Sequence, residues 1–277
     1  VGPLSVHSPA PVRRDHRRGR PRHAARDPRA PPDEVPAAED DLTSSIALEV
    51  IGVHKRFGGV RAVNGVSLAL ERGRIYGLIG PNGSGKTTLF NCITGVERCD
   101  AGRILLDGAP IHRLPPYRIA RRGVGRTFQM IRVFPELTAL ENLLVVTSGS
   151  HEAAQARARE LLGFVKLESL ADEYAGNLSF GQQKLVEFVR MLMRDPSLVL
   201  LDEPAAGVNR TLLNELLDAV RRLRDAGKTV LLVEHDMKVV MGLCEIVFVL
   251  DHGEKIAEGP PGAIQTDERV IEAYFGR

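Results

Sequence analysis

A chain of 277 residues, 43% hydrophobic and 26% charged, has the balance of an ordinary globular protein and the length for one or two domains. No apolar stretch reaches ~18 residues, which excludes a spanning helix. The three cysteines (Cys92, Cys99, Cys244) form no C-x-x-C pair, which argues against a disulfide framework or a zinc site and fits a reducing cytosol. The net charge of +2 hides a local asymmetry. Residues 1–44 hold eight arginines, concentrated in residues 13–29, seven acids, clustered in residues 33–41, and eight of the 17 prolines. Such a segment cannot bury enough apolar surface to offset its ordering entropy, so a disordered leader is expected, or sequence upstream of the true start. A basic arm for nucleic acid is the alternative.

Structure is expected from residue 45. Residues 46–57 and 66–70 are apolar, β-capable and separated by Gly58-Gly59, which predicts an antiparallel pair. The run Ile75-Tyr76-Gly77-Leu78-Ile79 reads as a buried strand. It enters Gly80-Pro81-Asn82-Gly83-Ser84-Gly85-Lys86-Thr87-Thr88, a complete G-x-x-x-x-G-K-[ST] loop. Leu89, Cys92 and Ile93 then fall at i, i+3, i+4 of a helix that Gly95 can end. Glycines let backbone N–H groups close around phosphate oxygens, and the helix start adds partial positive charge. Lys86 then reaches the β- and γ-phosphates of a bound nucleotide, and the Thr87 hydroxyl ligates Mg²⁺.

Further along, residues 103–106 with Asp107-Gly108 predict a strand and a tight turn. Residues from about 115 to 195 are mainly helical by pattern. Strand signals return at 198–201, 229–233 and 246–250. Between the first two, Leu213, Leu216, Leu217 and Val220 share a helix face that Gly227 closes. Strands alternating with helices predict a parallel sheet covered on both faces. The fold class is therefore α/β: one core domain over 45–277, with an antiparallel β lobe and an inserted helical lobe at about 115–195.

Residues 198–201 lead into Asp202-Glu203-Pro204. Ligands of a parallel sheet lie beyond the carboxyl ends of its strands, near these acids. Asp202 suits outer-shell Mg²⁺ coordination, and Glu203 suits positioning and deprotonation of an attacking water. His235 follows another such strand, where an imidazole can hydrogen-bond a γ-phosphate. Leu178-Ser179-Phe180-Gly181-Gln182-Gln183 opens a helix whose Leu185, Phe188, Val189 and Leu192 share one face. Ser179 and Gln182 make an S-x-x-Q capping box, and the same helix start is an anion site.

Taken together, the phosphate loop, Gln129 after Arg126-Thr127-Phe128, residues 178–183, Asp202-Glu203 and His235 resemble an ATP-binding-cassette (ABC) ATPase, a branch of the P-loop NTPases. The resemblance spans nearly all of residues 45–277. It implies ATP held between two such domains, the loop of one facing Ser179, Gly181 and Gln182 of the other. It also implies that Phe57 stacks on adenine, although a strand-end core aromatic is the other reading, and that Gln129 touches Mg²⁺ and the membrane partner's interface. Phe180 in place of a first glycine, Asn209 where Asp is commoner, and the ending Val270-Ile271-Glu272-Ala273-Tyr274-Phe275-Gly276 are similar to the ATPase subunits of branched-chain amino acid importers and their urea and amide relatives. The implied partners are two permease subunits, a second identical or non-identical ATPase subunit and, indirectly, a solute-binding protein, with no nucleic acid. The implied place is the cytoplasmic face of the membrane. A soluble ABC ATPase acting on nucleic acid is the rival, and such proteins carry two cassettes or a long coiled coil. A catalytically dead cassette is opposed by the intact Lys86, Asp202, Glu203 and His235.

Overall fold

The computed structural model describes Gly2 and residues 45–128, 130–147 and 150–275. The expected leader, Gly2 apart, and Gln129 lie outside the described residues. The chain divides into units of residues 1–37 and 38–277, and every element below belongs to the second.

Strands β1 (Ile46–Phe57) and β2 (Val60–Glu71) form a long antiparallel hairpin closed at Phe57↔Val60. β2 starts six residues before the expected strand, because its first half (Val60 to Gly65) is mixed in character and largely exposed, with Val63 alone of the six buried. The next strand, β3 (Ile75–Ile79), belongs to a different sheet. β4 (Ala101–Leu106) and β5 (Ala109–Pro110) return to the first, giving the order β2-β1-β4-β5.

The second sheet has the order β10-β9-β3-β8-β7-β6. Its members besides β3 are β6 (Val124–Arg126), β7 (Leu198–Asp202), β8 (Thr229–Val233), β9 (Ile246–Asp251) and β10 (Glu254–Gly259). Five strands run parallel, and β10 turns back antiparallel on β9. Every residue of β3, β7 and β8 is buried, as expected of strands covered on both faces. Alternation divides them. Ile75, Ile79, Val199, Leu201, Val230 and Leu232 join the core that includes the helical lobe, while Tyr76, Leu78, Leu198, Leu200, Leu231 and Val233 join the β lobe.

The helices are α1 (Lys86–Ile93), α2 (Pro116–Arg121), α3 (Ala139–Leu144), α4 (His151–Phe164), α5 (Phe180–Leu192), α6 (Arg210–Asp225), α7 (Met237–Leu243), α8 (Pro261–Thr266) and α9 (Glu268–Phe275). On α5 the expected face is buried in full. On α6 the buried stripe is Leu216, Ala219, Val220 and Leu223, with Leu213 and Leu217 only half-buried, a rotation toward the C-terminal half. Three strands were not anticipated, the two-residue β5 among them. β6 lies inside the stretch read as helical, and the charged β10 is legible only from its pairing with β9. Cys92 and Cys244 are buried free thiols, and burial pushes both pKa values up to about 12. They are inert packing groups.

Parallel pairing fixes where the chemistry converges. In register, Leu78 meets Val233 and Val233 meets Asp202. The loop after β3, the acids after β7 and the histidine after β8 therefore share one sheet edge.

Candidate active site

The loop leaves β3 through Gly80, whose φ of 147° no other residue adopts readily. A Cβ there would collide with the Leu250 carbonyl oxygen, and one on Gly85 would collide with that of Ala62. Gly85 caps α1 without any side-chain hydrogen bond, so the helix start offers its N–H groups outward. The Lys86 ammonium is buried and donates to the carbonyls of Gly80 (2.7 Å) and Pro81 (2.9 Å) and to Ser84 Oγ (3.4 Å). Burial lowers its pKa, while Glu203 and Asp202 oppose the shift. Asn82, Gly83 and Thr87 are exposed, and Pro81 and Thr88 half-buried.

Asp202 ends β7 almost fully buried. Its Oδ2 accepts from Arg126 Nη2 at 3.0 Å, and both side chains are under a tenth exposed. The same guanidinium donates from Nη1 to Asn91 Oδ1 (2.7 Å) and Thr94 Oγ1 (3.0 Å), which ties α1 and its C-cap to the strand-end carboxylate. The Phe90 and Phe128 rings flank it at 5.7 and 5.0 Å. Arg126 thus spans the phosphate helix and Asp202.

Glu203 has φ 49°, a left-handed conformation that costs a residue with a Cβ roughly 1–2 kcal/mol. Such strain persists only where surroundings enforce it, and it clusters at functional sites. Three contacts enforce it here. The Glu203 N–H donates to Val233 O (3.0 Å). Lys184 of α5, itself buried, donates to the carbonyls of Glu203 (3.1 Å) and Ala206 (2.6 Å). The buried Glu234 carboxylate accepts from the N–H groups of Ala205 (2.7 Å) and His235 (3.0 Å). Burial lowers the Lys184 pKa and raises that of Glu234. Held this way, Glu203 Oε1 lies 2.7 Å from His235 Nε2. With the carboxylate ionised, that nitrogen must carry the proton.

Ser179 caps α5 as expected. Its hydroxyl accepts from Gln182 N (3.4 Å) while Gln182 Oε1 accepts from Ser179 N (2.9 Å). No hydrogen bond among the described residues joins Ser179 or Gln182 to residues 80–88. A Cβ on Gly181 would meet the end of the Leu212 side chain on α6, which would have to shift. Asn209 caps α6, its side chain accepting from Leu212 N at 3.0 Å. Phe57 is 46% exposed, which removes the core-aromatic reading, and Lys55 Nζ stands 4.9 Å from its ring. Its hairpin reaches the loop through Ala62, beside Gly85.

One edge therefore gathers Lys86, Asp202, Glu203 and His235, with Phe57 and Ser179 on separate elements. Sequence reasoning missed Arg126, Lys184 and Glu234 as supports. Glu234 repeats the signal that marked Asp202, an acid closing an apolar strand.

A family model described as "ABC transporter" matches residues 63–206. BraF, the high-affinity branched-chain amino acid transport ATP-binding protein of Pseudomonas aeruginosa, is 43% identical over 83% of this chain and 97% of its own. The chain belongs to the ABC transporter ATP-binding family. Escherichia coli LivG, with the same printed description, is 42% identical over the same shares. A second model, "Branched-chain amino acid ATP-binding cassette transporter", matches residues 254–277. The LptB ATP-binding protein of the Escherichia coli lipopolysaccharide export system is 38% identical over 80% of this chain and 94% of its own. In structure, a nucleotide-free ATP-binding cassette from an ABC transporter superposes with TM-score 0.77 at 34% identity, covering 84% of this chain and 100% of that one. The ADP conformation of the cassette MJ1267 gives 0.77 at 35% identity, over 84% and 99%. This ABC ATPase binds and hydrolyses ATP.

Lys184→Met would strand two turn carbonyls in a buried setting. We expect a loss of about 1–3 kcal/mol of stability and slower turnover, with nucleotide affinity retained. Thermal midpoint, phosphate release and ATP titration measure the three. Unchanged turnover would leave Lys184 a packing group.

Proposed function

We propose that this ABC ATPase energises import of branched-chain amino acids. The observation that carries the reading is the joint match of its C-terminal segment and its whole cassette to proteins described for branched-chain amino acid transport. The likeness to LptB is the specific reason to keep a second reading, export of a lipid. Among the described residues no helix is long and apolar enough to cross a membrane. Separate permease subunits therefore carry the solute in this scheme, and the ATPase docks on them at the membrane surface.

In the proposed mechanism, residues 80–88 hold the ATP phosphates through backbone N–H groups, with Lys86 as the point charge on the β- and γ-phosphates. Glu203 takes the proton of the attacking water, and His235 orients that carboxylate and meets the γ-phosphate. Phe57 stacks on the adenine. Ser179, Gly181 and Gln182 serve the partner ATPase's nucleotide, consistent with their having no bond to this chain's loop. A surface anion gains only ~0.3–1 kcal/mol from a helix start, so the contact matters once a closed dimer excludes water.

The donor set fits Mg²⁺. A Thr87 hydroxyl is a hard oxygen ligand and the Asp202 carboxylate suits the outer shell, as Mg²⁺ usually keeps several waters and takes substrate phosphates. No cluster of three or more His, Cys, Asp or Glu suited to a metal occurs among the described residues, so a dedicated protein cage is not on offer. Thr87 and Asp202 would hold the ion, with Gln129, outside the described residues, as the third proposed contact. When bound, it neutralises charge developing on the phosphates.

Reconstitution tests the transport reading. The ATPase is placed in proteoliposomes with the permease subunits that co-purify with it and their solute-binding protein. Uptake of labelled leucine, isoleucine or valine that requires ATP is expected. ATP turnover indifferent to every amino acid, or stimulated by lipid extraction, would overturn it.

A further inference from the structure

The C-terminal helix α9 has no part in the chemistry above, yet it touches the phosphate loop. The Gly80 N–H donates to the Tyr274 hydroxyl at 2.8 Å, across 194 residues of sequence. The carbonyl of the same glycine accepts from Lys86 Nζ at 2.7 Å. Gly80 is thus held at both ends, by the tail on one side and by the loop's lysine on the other. The last registered pair of β3 with β9 is Ile79↔Val249, so the Gly80 N–H lies past the sheet ladder and needs another acceptor. Burial raises the pKa of the phenol, which keeps it neutral.

Other residues of α9 share a cavity with the loop. Its Arg269 and Glu272 line a cavity of about 530 Å³, with Asn82, Gly83, Asp251 and His252 on the other walls. The Gly80–Tyr274 bond is a direct tie between α9 and the first residue of the loop. A second tie comes from the turn after β9, where Gly253 N–H donates to Ser84 O at 3.0 Å. That tie comes from the turn between β9 and β10 and does not involve α9.

We propose that Tyr274 is a positioning residue for the phosphate loop, and that docking of α9 and nucleotide binding are thereby coupled. This rests on residues 80–88 being the phosphate site. A loop whose first peptide is anchored needs less ordering when phosphates bind, so nucleotide affinity rises with α9 docked. Coupling is reciprocal by thermodynamic necessity, so bound nucleotide must also hold the tail down.

Tyr274→Phe in the full chain removes only the hydroxyl. Loss of one such bond is expected to weaken MgATP binding about 3–10-fold. The KM should rise in step while kcat at saturating ATP stays within about twofold, the signature of lost binding rather than lost chemistry. Amide exchange supplies the reciprocal readout: MgATP should slow exchange in residues 268–275 of the wild type and not of the variant. Wild-type affinity in Tyr274→Phe would overturn the clamp. So would a fall of kcat together with the nucleotide-free thermal midpoint, which marks general damage. Lys86→Ala separates the two levels. If it binds MgATP as the wild type does, the phosphate-site reading fails. If it loses binding while Tyr274→Phe keeps it, the clamp alone fails.

Discussion

Replacing Glu203 by glutamine is expected to preserve MgATP binding and lower turnover by ~10²–10⁴-fold, the usual contribution of a positioned general base. Glutamine matches glutamate in size, so the bond from Lys184 to the residue 203 carbonyl and the bond of its N–H to Val233 survive. The left-handed backbone survives with them. What disappears is the carboxylate that His235 Nε2 meets at 2.7 Å, because an amide cannot take the water's proton. Phosphate release under saturating ATP measures the loss, and titration with a fluorescent nucleotide measures what is kept. Turnover near the wild-type rate would remove Glu203 from the proposed chemistry.

Arg126→Met is the second large effect, and it acts on stability. The change leaves Asp202, with a side chain only 4% exposed, as an unpaired buried charge. Breaking a buried pair this way costs about 3–5 kcal/mol, a thermal shift on the order of 10 °C for a chain of this size. It also unties Asn91 and Thr94. Adding Asp202→Asn should return part of the lost stability, since neither charge then remains buried alone. A double variant less stable than Arg126→Met by the full cost of Asp202→Asn would show that the two side chains do not couple.

Much of this architecture was legible because its signals are local. The loop carries its own glycines, β7 and β8 are unbroken apolar runs, and Ser179 announces its helix with a capping box completed three residues later. The missing parts have no local signature. β6 is Val-Gly-Arg, too short for any periodicity, and it is a strand only because β7 lies beside it. Arg126 stands 76 residues from Asp202, and Lys184 stands 19 from the Glu203 carbonyl it braces. Distance along the chain hides such partners. Gly181 is a similar case: the end of the Leu212 side chain on another helix stands where its Cβ would be, a neighbour the local motif does not show.

The edge strand β6 gives the active centre an unequal mechanical footing. It is three residues long, closes the margin of the sheet, and among the described residues pairs with β7 alone. Margins of a fold open by local fluctuation at a small fraction of the global unfolding free energy. An opening of β6 would draw Arg126 off Asp202, Asn91 and Thr94 together and leave the strand-end carboxylate without that partner. Amide exchange at Val124, Gly125 and Arg126, timed against β3, would measure how often that tie is released.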